Sequence, residues 1–268
     1  MNVKLLNGSD LAGFIKERHA HQLRQFLNSG IRPKLAIVQV KDDPVIDTYV
    51  RLKKQYGADI GIEVELHKIA QKDSPEVIKS LNKDDSVSGI IIQLPLTDTN
   101  QTDEIINLVV PKKDVDALGK DSQFEPATPM AIMWLLAGYN INLKGKKVLI
   151  IGRGRLVGAP LEKILNRSGV DVEVADSKTS DLRQKTHWAD VIIAAASSPN
   201  ILKPNMIKPG VVVVDAGTAS EEGKTVGNVT LDVYNRDDIT ITPAKGGVGP
   251  LTVCALFENV IRSAQKTA

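Results

Sequence analysis

The chain has 268 residues, with 34 Lys and Arg set against 32 Asp and Glu, one cysteine and four histidines. Near-neutral charge and 4% aromatic content remove the basic surface and the stacking platforms of a nucleic-acid binder, and no apolar run is long enough to span a bilayer. One cysteine forms no intrachain disulfide, and the histidines lack HExxH spacing, so a cytoplasmic protein without a bound metal is expected.

The first ten residues lack the basic start and apolar run of a secretion signal. Ser9 is a candidate N-cap for a helix carrying Leu11, Phe14, Ile15, Leu23, Phe26 and Leu27 at helical spacing, stopped by Gly30. A strand is predicted over 35–40, a helix from Pro44 to about Ile60, a strand over 64–69, and a short helix with Ser74 as N-cap and Pro75 at its first position. Residues 89–94 read as a buried strand. Pro111, Gly119, Pro126 and Pro129 interrupt any regular period, which marks 111–129 as a connection. Beyond it come a helix over 130–139, strands at 147–151, 172–175, 191–195, 211–215 and 239–242, and a final helix from Leu251 to about Gln265. This alternation predicts an α/β chain with mostly parallel sheets covered on both faces.

Strand 147–151 enters the turn Gly152-Arg-Gly154-Arg-Leu-Val157-Gly158. Strand, glycine turn and helix are the setting in which a dinucleotide pyrophosphate lies on a helix N-terminus. Gly152 permits the tight turn and Gly154 the approach of backbone to phosphate, while the third glycine arrives one residue later than in G-x-G-x-x-G. An ordinary strand-to-helix turn is the competing explanation. Arg153 favours NADP, because a guanidinium pairs with a 2′-phosphate and has no other evident purpose there. Asp176, ending the next strand, favours NAD, and Ser177 fits either.

Tyr49 and Lys53 lie four apart on the predicted helix with Ile46 and Val50 nearby. Taken alone, such a pair is more often a solvated face than a catalytic one, as Arg51 and Lys54 are read here. Four blocks change that balance: Gly89-Ile-Ile-Ile-Gln93-Leu94-Pro95-Leu, Pro111-Lys-Lys-Asp114-Val-Asp116, Ala127-Thr128-Pro129 and Gly246-Gly247-Val-Gly-Pro250-Leu-Thr252. In this order around a central glycine turn, they resemble the bacterial bifunctional methylenetetrahydrofolate dehydrogenase/cyclohydrolase family over nearly the whole chain.

The resemblance implies two α/β domains with a cleft between them: a folate-binding catalytic domain of residues 1–119 plus 250–268, and a Rossmann-like domain of 120–249. It implies Lys53 as catalytic lysine, Tyr49 stacked on the pterin, Gln93 beside the lysine and Asp116 hydrogen-bonded to the pterin. Leu94, Pro95, Gly246, Gly247, Pro250 and Thr252 complete the expected folate site. Gly152, Arg153, Gly154, Val157, Gly158, Asp176, Ser177 and Thr218 form the expected cofactor site, with NADP favoured over NAD. The terminal helix is expected to pack on the N-terminal domain, and the chain to form a homodimer that acts on tetrahydrofolate derivatives. For Lys53 to act as acid and base near neutrality, burial, a cationic substrate or dipoles such as the Gln93 amide must lower its pKa. Asp114 reads as a connecting or capping residue.

Several positions depart from the family pattern. Ile46 stands where a serine is usual, Ala117 for a glycine, Gly154 for a serine, Asp176 for a histidine and Lys245 for a proline, and the usual D-V-G-I-N reads Asp215-Ala-Gly217-Thr218-Ala. Ile46 removes a hydroxyl that could position Lys53 or water. Two alternatives follow: a degenerate paralogue that binds folate or nucleotide without turnover, and another two-domain dehydrogenase such as a shikimate or amino-acid dehydrogenase.

Overall fold

The computed structural model describes residues 4–217, 219–221 and 224–267. In chain order the elements are β1 (Lys4–Leu5), α1 (Gly8–Asn28), β2 (Lys34–Gln39), α2 (Pro44–Ile60), β3 (Glu63–Lys68), α3 (Ser74–Lys83), β4 (Gly89–Gln93) and α4 (Thr102–Ile106). There follow α5 (Ala127–Gly138), β5 (Lys147–Ile151), α6 (Gly158–Arg167), β6 (Asp171–Ala175), α7 (Leu182–Trp188), β7 (Val191–Ala194), β8 (Val212–Asp215), the hairpin β9 (Ala219–Glu221) and β10 (Lys224–Val226), β11 (Thr240–Ile241) and α8 (Val248–Thr267). The chain divides into two compact units, Met1–Ala12 with Thr128–Thr252 and Gly13–Ala127 with Val253–Ala268. These boundaries differ from the expected 119/120 and 249/250. The first twelve residues also join the other unit, because Lys4 and Leu5 pair in parallel with Thr240 and Ile241.

The unit of Gly13–Ala127 with Val253–Ala268 holds a three-stranded parallel sheet in the order β3-β2-β4. Along β2 the five residues Leu35 to Gln39 are all buried, so this central strand is covered on both faces, as its unbroken apolar run requires. Helix α2 starts where Asp43 accepts from the backbone N–H groups of Val45 and Ile46 and Pro44 presets the first turn. It ends at Gly61, whose φ of 90° only glycine adopts freely. Its buried stripe is Ile46, Val50, Tyr56, Gly57 and Ile60. A Cβ at Gly57 would sit 2.5 Å from Val64 and 2.8 Å from the Ile62 carbonyl, so the glycine sets how closely α2 approaches β3. Residues 253–267 of α8 pack within this unit as expected: Asn259 Nδ2 donates to the Val115 and Glu125 carbonyls, and Ser263 Oγ to those of Ser88 and Lys112.

The other unit is built on a six-stranded parallel sheet, order β1-β11-β8-β7-β5-β6. Of its inner strands, β5 after exposed Lys147 and the whole of β7 are buried runs of Val, Leu, Ile and Ala, and Leu149, Ile151, Ile192, Val213 and Ile241 share one core cluster. Helix α5 begins at Ala127, earlier than the predicted 130, because Pro129 lies in a first turn whose N–H groups have no intrahelical partner.

Two predicted caps fall elsewhere. Asn7, not Ser9, caps α1, its Oδ1 accepting from the Ser9 N–H at 3.1 Å. Ser74 lies inside the helical run, because a 3₁₀ turn over Gln71–Asp73 leads straight into α3.

Candidate active site

Lys53 lies on the inward side of α2, seven residues after buried Ile46 and three after buried Val50, while Arg51 and Lys54 are exposed. Its Nζ donates to Gln93 Oε1 at 2.7 Å. Gln93 ends β4, and its Nε2 donates to the Leu94 carbonyl at 3.2 Å, which turns the amide oxygen toward the lysine. Tyr49, half-buried, sits one turn before Lys53 on the same side of α2. Leu94 and Pro95 follow Gln93 directly, joined by a cis peptide. The group thus lies beyond the carboxyl end of a parallel strand, where open α/β sheets bind ligands.

Two charges face each other here. Burial pushes the Lys53 pKa below the usual lysine value, and the Asp116 carboxylate partly restores it. Burial likewise raises the Asp116 pKa, and the Lys53 ammonium opposes that rise. Gln93 offers an acceptor oxygen, which favours the protonated lysine. Of the expected causes, burial does lower this pKa, whereas the Gln93 amide, which turns its oxygen to the lysine, works in the opposite direction.

Asp116 is held by a loop whose other residues are structural. Lys113 is buried and donates to the Leu81 and Asp84 carbonyls at 3.0 and 2.6 Å, closing the end of α3. Asp114, as expected, is a turn residue: its carboxylate accepts from the N–H groups of Leu118 and Gly119 at 3.4 and 2.8 Å. Ala117 has φ 58°, the left-handed region where glycine is the favoured residue.

In the six-stranded unit the glycine turn follows β5. Gly152 has φ 104°, and a Cβ there would lie 2.5 Å from the Ala195 carbonyl oxygen. At Gly158, first residue of α6, a Cβ would lie 1.9 Å from the Gly152 carbonyl oxygen, so this late glycine is required for the helix to start against the turn. Gly154 is exposed with nothing within 4 Å of its Cβ position, an open approach beside the N-terminus of α6. Val157 is the residue before that helix, and its carbonyl accepts from the Leu161 N–H at 2.9 Å. Asp176 and Ser177 are exposed at the end of β6. Thr218 lies outside the described residues.

Arg153 is not without another role at the turn. Its guanidinium pairs with Glu162 on α6, Nη2 donating to both carboxylate oxygens at 2.8 and 3.0 Å and Nε to one at 3.1 Å. The sequence reading missed Glu162, whose signal is only a spacing of nine. It also missed a polar frame at the ends of β7 and β8. Asp215 accepts from the backbone of Gly217, Asn228 and Val229 and from the Tyr234 hydroxyl, while buried Asn228 exchanges bonds with the backbone of Ala196.

Gly246, Gly247, Pro250 and Thr252 belong to the six-stranded unit and not to the unit that carries Lys53. Gly246 has φ 83°, its carbonyl accepts from the Ser9 N–H, and a Cβ on Gly8 would lie 1.8 Å from the Gly247 carbonyl oxygen. The loop is therefore packed against the start of α1, not loosely hinged. Thr252 Oγ1 bonds the Val248 carbonyl within its own helix.

Residues 6–116 match the family model described as tetrahydrofolate dehydrogenase/cyclohydrolase, catalytic domain, and residues 126–268 match the NAD(P)-binding domain of the same family. The chain belongs to this family. A relative described as bifunctional protein FolD, from Campylobacter jejuni (strain RM1221), is 40% identical over 97% of this chain and 98% of its own. A crystal structure of the bifunctional enzyme FolD from Campylobacter jejuni superposes with TM-score 0.93 at 38% identity, covering 99% and 100% of the two chains. The Trypanosoma brucei FolD structure, complexed with NADP cofactor and inhibitor, has TM-score 0.92 at 27% identity, covering 99% and 98%. Two α/β domains, catalytic and NAD(P)-binding, are what this tetrahydrofolate dehydrogenase/cyclohydrolase family has, and another kind of dehydrogenase is not favoured.

Proposed function

We propose that the chain oxidises 5,10-methylenetetrahydrofolate to the 5,10-methenyl form with NADP and hydrolyses that product to 10-formyltetrahydrofolate. The observation that carries the reading is the half-buried Lys53 bonded to Gln93 and facing Asp116 across a charge interaction. An isolated surface lysine would show neither the desolvation nor the partner.

The turn fits a dinucleotide: Gly152 and Gly158 are sterically obligatory and Gly154 leaves room for a phosphate at the start of α6. The residues that would hold it are Gly152, Arg153, Gly154, Val157, Gly158, Asp176, Ser177 and Thr218. NADP held there would supply the acceptor for a hydride from the bridging methylene carbon. The protein's part in that step is orientation. Tyr49 stacks on the pterin and Asp116 accepts from its ring N–H groups, with Leu94 and Pro95 beside them. Gly246, Gly247, Pro250 and Thr252 are proposed as further folate residues.

In hydrolysis, water adds to the amidinium carbon. Lys53 takes the proton released by that water and returns one to the departing nitrogen as its carbon–nitrogen bond breaks. Its lowered pKa enlarges the neutral fraction available as base, and Gln93 holds the amine in place.

We also propose a cytoplasmic homodimer. The family resemblance supports the homodimer, and a single, buried cysteine, Cys254, fits a reducing compartment. Light scattering on the purified chain tests the dimer.

The deciding assay follows the methenyl absorbance band with methylenetetrahydrofolate and NADP, then NAD. Growth and decay of the band support both steps. Growth without decay removes hydrolysis, and no change with either cofactor favours the degenerate binding protein. Lys53→Met is expected to abolish decay, and near-normal hydrolysis in that variant would overturn the assignment.

A further inference from the structure

We propose that Glu162 sets the cofactor preference of this chain by occupying Arg153. This rests on the cofactor reading above and deepens it. The Ile151↔Ala175 register and the bond from the Gly152 N–H to the Ala175 carbonyl at 2.7 Å bring the tips of β5 and β6 together. Arg153 and Asp176 are the next residues on each tip. That is where an adenosine ribose meets a doubly wound sheet. An arginine there recognises a 2′-phosphate with its forked N–H donors, and an acid there recognises a free 2′-hydroxyl.

In this chain the fork is already engaged. Nε and Nη2 of Arg153 are both turned to the Glu162 carboxylate, so the Nε–Nη2 side of the fork is taken and a phosphate is left the Nη1 side of the guanidinium. Glu162 itself is mostly buried, with 22% of its side chain exposed against 57% for Arg153, so the acid is the fixed partner. A 2′-phosphate must displace this carboxylate or accept the remaining donors beside it. NAD meets neither demand, and the exposed carboxylate of Asp176 suits its 2′-hydroxyl. Glu162 is thus a positioning residue that narrows the gap between NADP and NAD.

The test measures NADP and NAD binding by calorimetry on the full chain, together with the ratio of kcat/KM for the two cofactors. Glu162→Gln keeps the shape and removes the charge. It is expected to tighten NADP binding about twofold to fivefold, the range for an exposed ion pair, and to leave NAD unchanged. The same substitution in an Arg153→Ala background is expected to change neither. No shift in Glu162→Gln, or an equal shift without Arg153, would overturn the proposal, the second because it would reduce Glu162 to general repulsion of anions. Wild-type protein that binds neither dinucleotide would instead overturn the cofactor reading on which it rests.

Discussion

Lys53 Nζ donates to Gln93 Oε1 at 2.7 Å, and the same lysine feels the Asp116 carboxylate through its charge. The two partners push in one direction, toward the ammonium, and burial pushes in the other. Replacing Asp116 with Asn removes the charge that raises the Lys53 pKa, so that pKa falls further. If neutral Lys53 is the base for hydrolysis, the acid limb of the pH–rate profile moves to lower pH in Asp116→Asn, while KM for folate rises through loss of the proposed pterin contact. A limb that stays in place or moves to higher pH would separate the profile from Lys53.

Lys53→Met is expected to lower cyclohydrolase kcat by about 10²- to 10⁴-fold, the usual contribution of a positioned acid–base group. The proposed orientation by Tyr49 and Asp116 does not depend on Lys53, so folate binding measured by fluorescence quenching should persist within a few-fold. Loss of binding together with turnover would make Lys53 a structural residue.

The site was legible where one residue type carries one physical demand. The stripe of α2 and its Pro44 start follow from spacing and backbone freedom, whereas Gln93 was implied by the family resemblance and lies at the end of a buried strand. What escaped were long-range relations. Strand β1 is two residues long and gains its identity only from β11. Glu162 becomes meaningful only when α6 folds back over the turn to meet Arg153. The sign of the Gln93 effect depended on which end of its amide faces Lys53, and composition holds no trace of that.

Two glycines of the cofactor turn differ in what they predict for stability. A Cβ at Gly158 would lie 1.9 Å from the Gly152 carbonyl oxygen, so Gly158→Ala must displace backbone. It is expected to lower the unfolding midpoint and to weaken NADP binding by about tenfold or more, ~1.4 kcal/mol. At Gly154 nothing stands within 4 Å. Gly154→Ala should keep the wild-type midpoint and still weaken NADP, because its methyl enters the space a phosphate would use. Unchanged NADP affinity in Gly154→Ala would move the pyrophosphate away from that residue.

Asn259 links α8 to the loop that carries Asp116. Its Nδ2 donates to the carbonyls of Val115 and Glu125, both at 2.9 Å. Asn259→Ala leaves two backbone acceptors without this donor and is expected to cost about 2–4 kcal/mol in urea unfolding. Because Val115 precedes Asp116, KM for folate should rise more than kcat falls. A stability loss with unchanged KM would confine Asn259 to packing.

Ala117, one residue beyond Asp116, has a φ of 58°, in the left-handed region where glycine is the favoured residue. A Cβ in this left-handed conformation costs about 1–2 kcal/mol, set against roughly 0.5–1 kcal/mol for the greater freedom glycine has to lose. Ala117→Gly is therefore expected to stabilise the chain by about 0.5–1 kcal/mol, read as a higher urea midpoint at unchanged slope. Ala117→Val should move the midpoint the opposite way, because a β-branched side chain crowds the same backbone further. The loop is fixed on either side of Ala117 by Asp114, through the N–H groups of Leu118 and Gly119, and by Asn259 at Val115. The strain is thus held by its neighbours and not relaxed by moving Asp116. If Ala117→Gly instead destabilised the chain, the alanine would be making contacts that outweigh its backbone cost, and the loop would have been refitted around it.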